Sequence, residues 1–186
     1  MLKITNLSKI FKDKCVIDNF SFTFPKTGLV TITGVSGKGK TTLLNIIAGL
    51  VKQDSGSVEN SYSSLSYSFQ EDRLFPWLSV RKNIEIVLDK VTDKEQIVSE
   101  WLKKIELLDF ADYLPEKISG GMKQRVSLAR ALAYPSELVL LDEPFKGLDE
   151  DLHQRMYNIV KTEAKSRLII MVTHDRNDVS KINIEI

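Results

Sequence analysis

The sequence predicts an α/β fold with a parallel sheet, an N-terminal antiparallel β subdomain and an inserted helical lobe. Short, mainly apolar runs at 28–33, 137–141 and 167–172 have the length of buried strands, and the first of them is rich in β-branched residues. Helical spacing of apolar residues follows the first two runs, which is the order expected when helices connect parallel strands. Residues 1–24 instead alternate apolar and polar side chains, and this pattern predicts antiparallel strands.

The stretch between the first two runs contains the helical insertion. Apolar residues from Ile84 to Leu108 recur at helical intervals. A chain of 186 residues is long enough for one domain with a substantial core. We therefore predict a single domain, with its core in 1–78 and 134–186 and its helical lobe in 79–133.

Composition excludes several classes of protein. The net charge of +1, without a basic cluster, argues against a nucleic-acid partner. The single cysteine, Cys15, cannot form an internal disulfide and suits a reducing compartment. The N-terminal residues have no apolar core of a signal peptide, and the longest apolar runs are too short to span a bilayer. We expect a cytoplasmic protein, brought to any membrane by a partner.

The segment after the first buried strand matches the phosphate-binding pattern G-x-x-x-x-G-K-S/T. Its glycines allow successive N–H groups to face a phosphate, and the helix that follows adds its positive N-terminal end. Lys40 supplies a charge for the β- and γ-phosphates, and the Thr41 hydroxyl can bind Mg²⁺. These features predict a P-loop NTPase core that binds ATP through Gly34, Val35, Ser36, Gly37, Lys38, Gly39, Lys40, Thr41 and Thr42.

Two carboxylates directly follow the buried strand 138–141. The carboxyl ends of parallel strands face the crevice in which open α/β sheets bind ligands. Asp142 therefore suits Mg²⁺, a cation that prefers oxygen ligands and keeps several waters. Its neighbour Glu143 is placed to orient or deprotonate an attacking water. The alternative for this pair is an acidic turn or helix cap.

Ser119, Gly120 and Gly121 come just before the last helix of the insertion. A serine and two glycines at a helix N-terminus form a second site for an anion. One P-loop does not require a second phosphate site within the same chain, so we expect this one to serve the nucleotide of a second copy. With this segment, the chain resembles the ABC ATPase family, whose signature sequence lies between the P-loop and the aspartate strand.

The resemblance covers nearly the whole chain and implies the ABC ATPase fold, together with roles for four further residues. Phe11 lies where the family often has an aromatic side chain that stacks on adenine. Gln70 matches the Q-loop, a Mg²⁺ ligand and catalytic glutamine. Asp149 matches the end of the D-loop, which implies contact with the nucleotide, and His174 matches the switch histidine, which implies a catalytic role. Each of three residues has an alternative interpretation. Phe11 is then a core residue, Gln70 a polar residue at a sheet edge, and His174 a surface histidine that caps a strand.

Some residues depart from the family pattern or match no motif. Met122 replaces the usual signature glutamine, and Phe145 begins an unusual lead into the D-loop. Lys38 either adds charge near the phosphates or points outward. We expect the remaining polar side chains near these motifs to be solvated, namely those of Lys123, Arg125, Arg130 and His153.

Three classes of function are compatible with a P-loop. The first is a transport ATPase, in which two copies of the chain, or the chain and a similar subunit, hold two ATP molecules head to tail and drive permease subunits. The second is a soluble ABC scaffold, and the third is a small-molecule kinase. A kinase needs a substrate lid and has no use for Ser119 to Gly121. The transport ATPase is therefore the predicted function, with ATP and Mg²⁺ as cofactors.

The segment 70–80 carries the evidence for the kind of transporter. It resembles the branch of importers for nitrate, sulfonates and taurine. This resemblance implies a subunit that lies on the inner face of the membrane and works with an external substrate-binding protein. It also implies that other chains select the transported substrate. Phe75, Pro76, Trp77 and Leu78 form an apolar cluster in this segment. Clusters of this kind commonly mark interfaces, so we predict that it receives a cytoplasmic helix of the permease. The alternative is that Trp77 packs inside the lobe.

Overall fold

The computed structural model describes residues 1–12, 14–89 and 91–186 of the protein. Its described strands are β1 (Leu2–Phe11), β2 (Lys14–Thr23), β3 (Gly28–Thr33), β4 (Ser55–Asn60), β5 (Leu65–Ser68), β6 (Leu138–Asp142), β7 (Leu168–Val172) and β8 (Ile182–Glu185). They form an antiparallel sheet in the order β2-β1-β4 and a parallel sheet in the order β5-β6-β7-β3-β8. The predicted α/β fold, with one parallel and one antiparallel sheet, is confirmed.

Helices connect the strands of the parallel sheet and fill the segment between β5 and β6. The described α-helices are α1 (Lys40–Ile47), α2 (Val80–Glu85), α3 (Lys94–Lys104), α4 (Gly120–Ala133) and α5 (Glu150–Glu163). Short 3₁₀ turns cover Ile86–Leu88, Leu108–Phe110, Pro115–Lys117 and Arg176–Asp178. Within the described ranges, none of these helices has the length and apolar character needed to cross a bilayer.

The parallel sheet is covered on both faces at its centre, which explains why its central strands have continuous apolar sequences. Every residue of β6 and β7 is buried. Leu138 and Leu140 point to one side and pack with α1 and the antiparallel sheet. Val139 and Leu141 point to the other side, where they join the cluster formed by α2 to α5. The inserted helices therefore share a core with the sheet.

Strand order brings three separate segments of the sequence together at one edge of the parallel sheet. Strand β7 lies between β3 and β6, and Val172 pairs with both Ile32 and Asp142. The segments that follow these three strands thus begin side by side, at the carboxyl ends where such sheets bind ligands. The last strand, β8, pairs with β3 and was not predicted, because residues 182–185 are too few to show an alternation.

Candidate functional site

The loop after β3 wraps around the N-terminus of α1 and leaves no room for a side chain at its last glycine. Gly39 has φ of 92° and precedes the first helical residue, Lys40. A Cβ on Gly39 would lie 2.6 Å from the carbonyl oxygen of Val16 and 3.1 Å from the Ile17 side chain. Strand β2 therefore forms the back of the cradle. Sequence reasoning missed Val16 and Ile17, because only the packing of β2 on the P-loop reveals them.

Lys40 is held inside the loop that precedes it. Its Nζ donates hydrogen bonds to the carbonyl oxygens of Gly34 at 2.8 Å and Val35 at 2.9 Å. Burial lowers the pKa of Lys40, while the charges of Glu143 and Asp142 act in the opposite direction. A buried ammonium beside two acids is suited to a polyanionic ligand. Around it, Val35, Ser36, Gly37, Lys38 and Thr41 are exposed, and Thr42 is half-buried.

Asp142 is a buried carboxylate with an unused oxygen. Its side chain lies at the end of β6, 1% exposed, and its Oδ1 has no hydrogen-bond partner among the described residues. Burial raises the pKa of Asp142, an effect opposed by Thr41, Lys40 and His174. A desolvated carboxylate of this kind is costly unless it is paired. The donor set of Asp142 and Thr41 fits Mg²⁺, which needs few protein oxygens because it keeps waters and phosphate ligands.

Glu143 lies between the side chains of Gln70 and His174. Its Oε1 is 2.9 Å from His174 Nε2, and its Oε2 accepts from Gln70 Nε2 at 3.4 Å. The backbone of Glu143 has φ of 49°, an unusual value for a residue with a side chain, which turns the chain sharply after β6. The structure thus brings together all three residues for which the sequence suggested a catalytic role.

The Ser119 segment lies apart from the P-loop of its own chain. Ser119 caps α4, where its Oγ accepts from Met122 N at 3.3 Å, and both Ser119 and Gly120 are exposed. A Cβ on Gly121 would lie 3.3 Å from the Gly147 carbonyl oxygen, so the signature packs on the segment before Asp149. Across the described ranges, no hydrogen bond joins 119–121 to 34–42.

Phe11, Asp149 and Lys38 are the remaining predicted site residues. Phe11 is 45% exposed at the end of β1, with Lys9 Nζ 5.0 Å from its ring centre. Asp149 caps α5 by accepting from Leu152 N at 2.9 Å. Lys38 lines a cavity of about 440 Å³ beside the P-loop. That cavity is also lined by Cys15, Val16, Ile17, Asp18, Phe20, Glu185 and Ile186.

Three side chains that we expected to be solvated are not. Arg125 is buried and its Nη1 donates to the Ile105 carbonyl oxygen at 2.5 Å. The Arg130 guanidinium donates to the carbonyl oxygens of Asp72 and Arg73 at 3.1 and 3.0 Å. His153 is 19% exposed and lies against a buried acid. These expectations were wrong because local sequence does not show which carbonyls or acids a neighbouring segment presents.

Comparison with known proteins places this geometry in a family. The family model described as ABC transporter matches residues 17–146. The chain is 37% identical to the aliphatic sulfonates import ATP-binding protein SsuB 1 of Pseudomonas savastanoi, covering 90% of this chain and 71% of that protein. It is 39% identical to SsuB of Bacillus cereus, covering 94% and 75%.

A relative named for another cargo and a solved structure are also similar to the chain. The Fe(3+) ions import ATP-binding protein FbpC of Haemophilus influenzae is 36% identical, covering 96% of this chain and 56% of that protein. A dimeric ATP-binding cassette in a post-hydrolysis state, bound to ADP and phosphate, matches with a TM-score of 0.86 at 29% identity, covering 96% and 90%. The chain therefore belongs to the ABC transporter family, as one of its ATP-binding, ATP-hydrolysing subunits.

Proposed function

We propose that this chain energises an importer by closing on a second copy around two ATP molecules and reopening after hydrolysis. The observation that carries the proposal is the position of Glu143 between Gln70 and His174, next to the buried pair of Lys40 and Asp142. This arrangement places a base, two groups that hold it and a phosphate-binding cation at one edge of the sheet. Such a set is what hydrolysis of a phosphoanhydride requires.

Each residue then has a defined task. Lys40 leaves the carbonyl oxygens of Gly34 and Val35 to bind the β- and γ-phosphates, and the free N–H groups of the loop bind the remaining phosphate oxygens. Glu143 accepts the proton of the attacking water, and His174 Nε2 and Gln70 Nε2 hold its carboxylate in place. Phe11 stacks on the adenine, so its exposed ring gains a partner.

Mg²⁺ is the metal that this site fits, and Thr41, Asp142 and Gln70 are the residues that would hold it. When bound, Mg²⁺ neutralises charge on the β- and γ-phosphate oxygens. The unpaired Oδ1 of Asp142 supports this assignment, since a cation would remove the cost of burying it. The carboxylate of Asp142 and the hydroxyl of Thr41 are hard oxygen donors, the type that this cation prefers.

The second half of each nucleotide site comes from the other copy. Ser119 and Gly120 are exposed at the N-terminus of α4. Within the described ranges, they make no hydrogen bond to the P-loop of their own chain. The resemblance to a dimeric cassette bound to ADP and phosphate supports a head-to-tail pair. In that pair, Ser119, Gly120, Gly121 and Asp149 face the nucleotide held by the partner's P-loop.

The relatives favour import over export and over a soluble scaffold. Those reported above are import ATP-binding proteins, for aliphatic sulfonates in two cases and for Fe(3+) ions in the third. We infer that this subunit lies on the inner face of the membrane, held by permease subunits that work with an external substrate-binding protein. Small organic anions such as sulfonates are the proposed cargo class, and the other chains select among them.

The apolar segment after Gln70 is the proposed docking point for the permease. Trp77 is 71% exposed, so the alternative in which it packs inside the lobe is wrong. Buried Asn83 holds the backbone on either side of this tryptophan, since it accepts from Phe75 N at 2.8 Å and donates to the carbonyl oxygens of Phe75 and Leu78 at 3.1 and 2.9 Å. An exposed tryptophan on a hydrogen-bonded turn is suited to anchor a partner helix.

Replacement of Lys40 by alanine tests the phosphate cradle. We expect ATP affinity to fall about 10- to 100-fold, the value of hydrogen bonds to a charged group. Titration with a fluorescent ATP analogue measures the change. Lys52→Ala removes an exposed lysine beyond α1 and serves as the control. Equal affinity of the Lys40 variant and the unmodified protein would remove Lys40 from the proposed site.

Replacement of Trp77 by alanine tests the docking point. We expect binding to the permease to weaken by about 30-fold or more, because an anchoring tryptophan is typically worth at least about 2 kcal/mol. ATP binding by the isolated subunit should not change. Copurification with the membrane partner from the native host measures the loss and identifies the permease. Leu50→Ala, at a residue 60% exposed beyond α1, is the control, and copurification of the Trp77 variant at full yield would place docking elsewhere.

A further inference from the structure

His153 contacts both the segment that follows β6 and the segment that follows β7. It lies on α5, one turn after Asp149, with 19% of its side chain exposed. Its Nε2 is 2.7 Å from Asp178 Oδ1, in the turn that follows His174. The Phe145 ring, two residues after Glu143, lies with its centre 4.8 Å from the imidazole.

Asp178 organises the turn that carries His174. Its carboxylate is almost fully buried, and its second oxygen, Oδ2, accepts from Thr173 Oγ1 at 2.8 Å. Tyr157, one turn after His153 on α5, donates to the Asp178 carbonyl oxygen at 3.0 Å. The acid therefore joins the two ends of the turn 173–178 and attaches both to α5. A buried carboxylate needs such partners to offset its lost hydration.

The same residues line a cavity at the back of the proposed catalytic pair. The cavity has a volume of about 220 Å³, and Glu143, His153, His174 and Asp178 all face it. Movement of the imidazole would free Asp178 on one wall and the Phe145 ring on another. His153 thus contacts both the segment that follows the proposed base and the turn that carries the histidine beside it.

We infer that His153 is a positioning residue for ATP hydrolysis, an inference that rests on the roles proposed for Glu143 and His174. By holding Asp178, His153 fixes the turn that sets His174 Nε2 at 2.9 Å from Glu143 Oε1. By packing on Phe145, it supports the segment that leaves Glu143. In the described ranges its imidazole contacts Asp178 and the Phe145 ring and bonds none of the P-loop residues 34–42, so its loss should alter the rate and spare the affinity.

The test compares ATP hydrolysis and ATP binding in variants of His153 and Asp178. His153→Leu is expected to lower the single-turnover rate by about 10- to 100-fold, since a displacement of about 1 Å can reduce a rate by about 100-fold. ATP affinity should stay unchanged. His153→Gln, which retains an N–H donor for Asp178, should recover most of the rate. Gln154→Leu, on the exposed side of the same helix, is the matched control.

Two further variants separate this inference from the function on which it rests. Asp178→Asn keeps the volume but weakens the link from the acid side, and it should lower the rate as His153→Leu does. His174→Ala should lower the rate on its own. Adding His153→Leu to it should cause little further loss, because the effects of substituting two residues that act through one another do not add. An unchanged rate in His174→Ala overturns the proposed role of His174. A lowered rate there, with wild-type rates in both His153→Leu and Asp178→Asn, overturns this inference alone.

Discussion

Replacement of Glu143 by glutamine is expected to lower the rate of ATP hydrolysis by at least about a hundredfold, the range typical of a lost general base. The amide keeps the size of the side chain and can still contact Gln70 and His174, but it cannot accept a proton from water. Binding of ATP should persist because Lys40, not Glu143, meets the phosphates. Phosphate release under single-turnover conditions measures the rate.

The control for this substitution is Glu95→Gln, which makes the same chemical change at an exposed position in the first turn of α3. Binding should be followed separately with a fluorescent ATP analogue, so that a change in rate is not confused with a change in occupancy. A Glu143→Gln protein that hydrolyses ATP as fast as the unmodified one would assign the catalytic role to another residue.

Mixing two inactive variants should restore hydrolysis if each nucleotide site is shared between two copies. Ser119→Arg blocks the signature and Lys40→Ala disables the cradle, so each variant alone should be inactive. In a mixed pair, one site carries both changes and the other carries none. Random pairing should therefore restore up to about a quarter of the original activity, because half of the pairs are mixed and each has one intact site.

The measurement is the steady-state rate of phosphate release across a series of mixing ratios. It should peak near equal amounts and vanish when either variant is alone. Mixed pairs must be shown to form, for example by capture through a tag on one variant. Mixed pairs without activity would mean that both sites must act together or that Ser119 serves the nucleotide of its own chain.

Several expectations from the sequence held because they depend on local chemistry. The apolar runs at 28–33 and 167–172 became buried strands β3 and β7, since a strand covered on both faces has no polar alternation to show. The spacing from Gly34 to Thr41 predicted the loop between β3 and α1, because glycine permits the left-handed backbone that Gly39 adopts there.

Other features depended on distant segments, and local sequence could not reveal them. His153 and Arg130 look like solvated residues on a helix, yet each bonds a group that lies more than one element away in the chain. Trp77 shows the reverse case, an apolar residue that packing leaves exposed. Whether a polar side chain is buried depends on the acceptors that the fold brings to it, and these come from other segments.

The sequence by itself determined the family, the cradle and the types of residue available for catalysis, because backbone freedom and side-chain chemistry belong to each position. Only the tertiary structure decided which of those residues meet. Glu143 and His174 come together because β6 and β7 are neighbours in the sheet, and Gln70 joins them because β5 pairs with β6. Strand order follows from the packing of the whole core, a sum over contacts that no short segment of the chain contains.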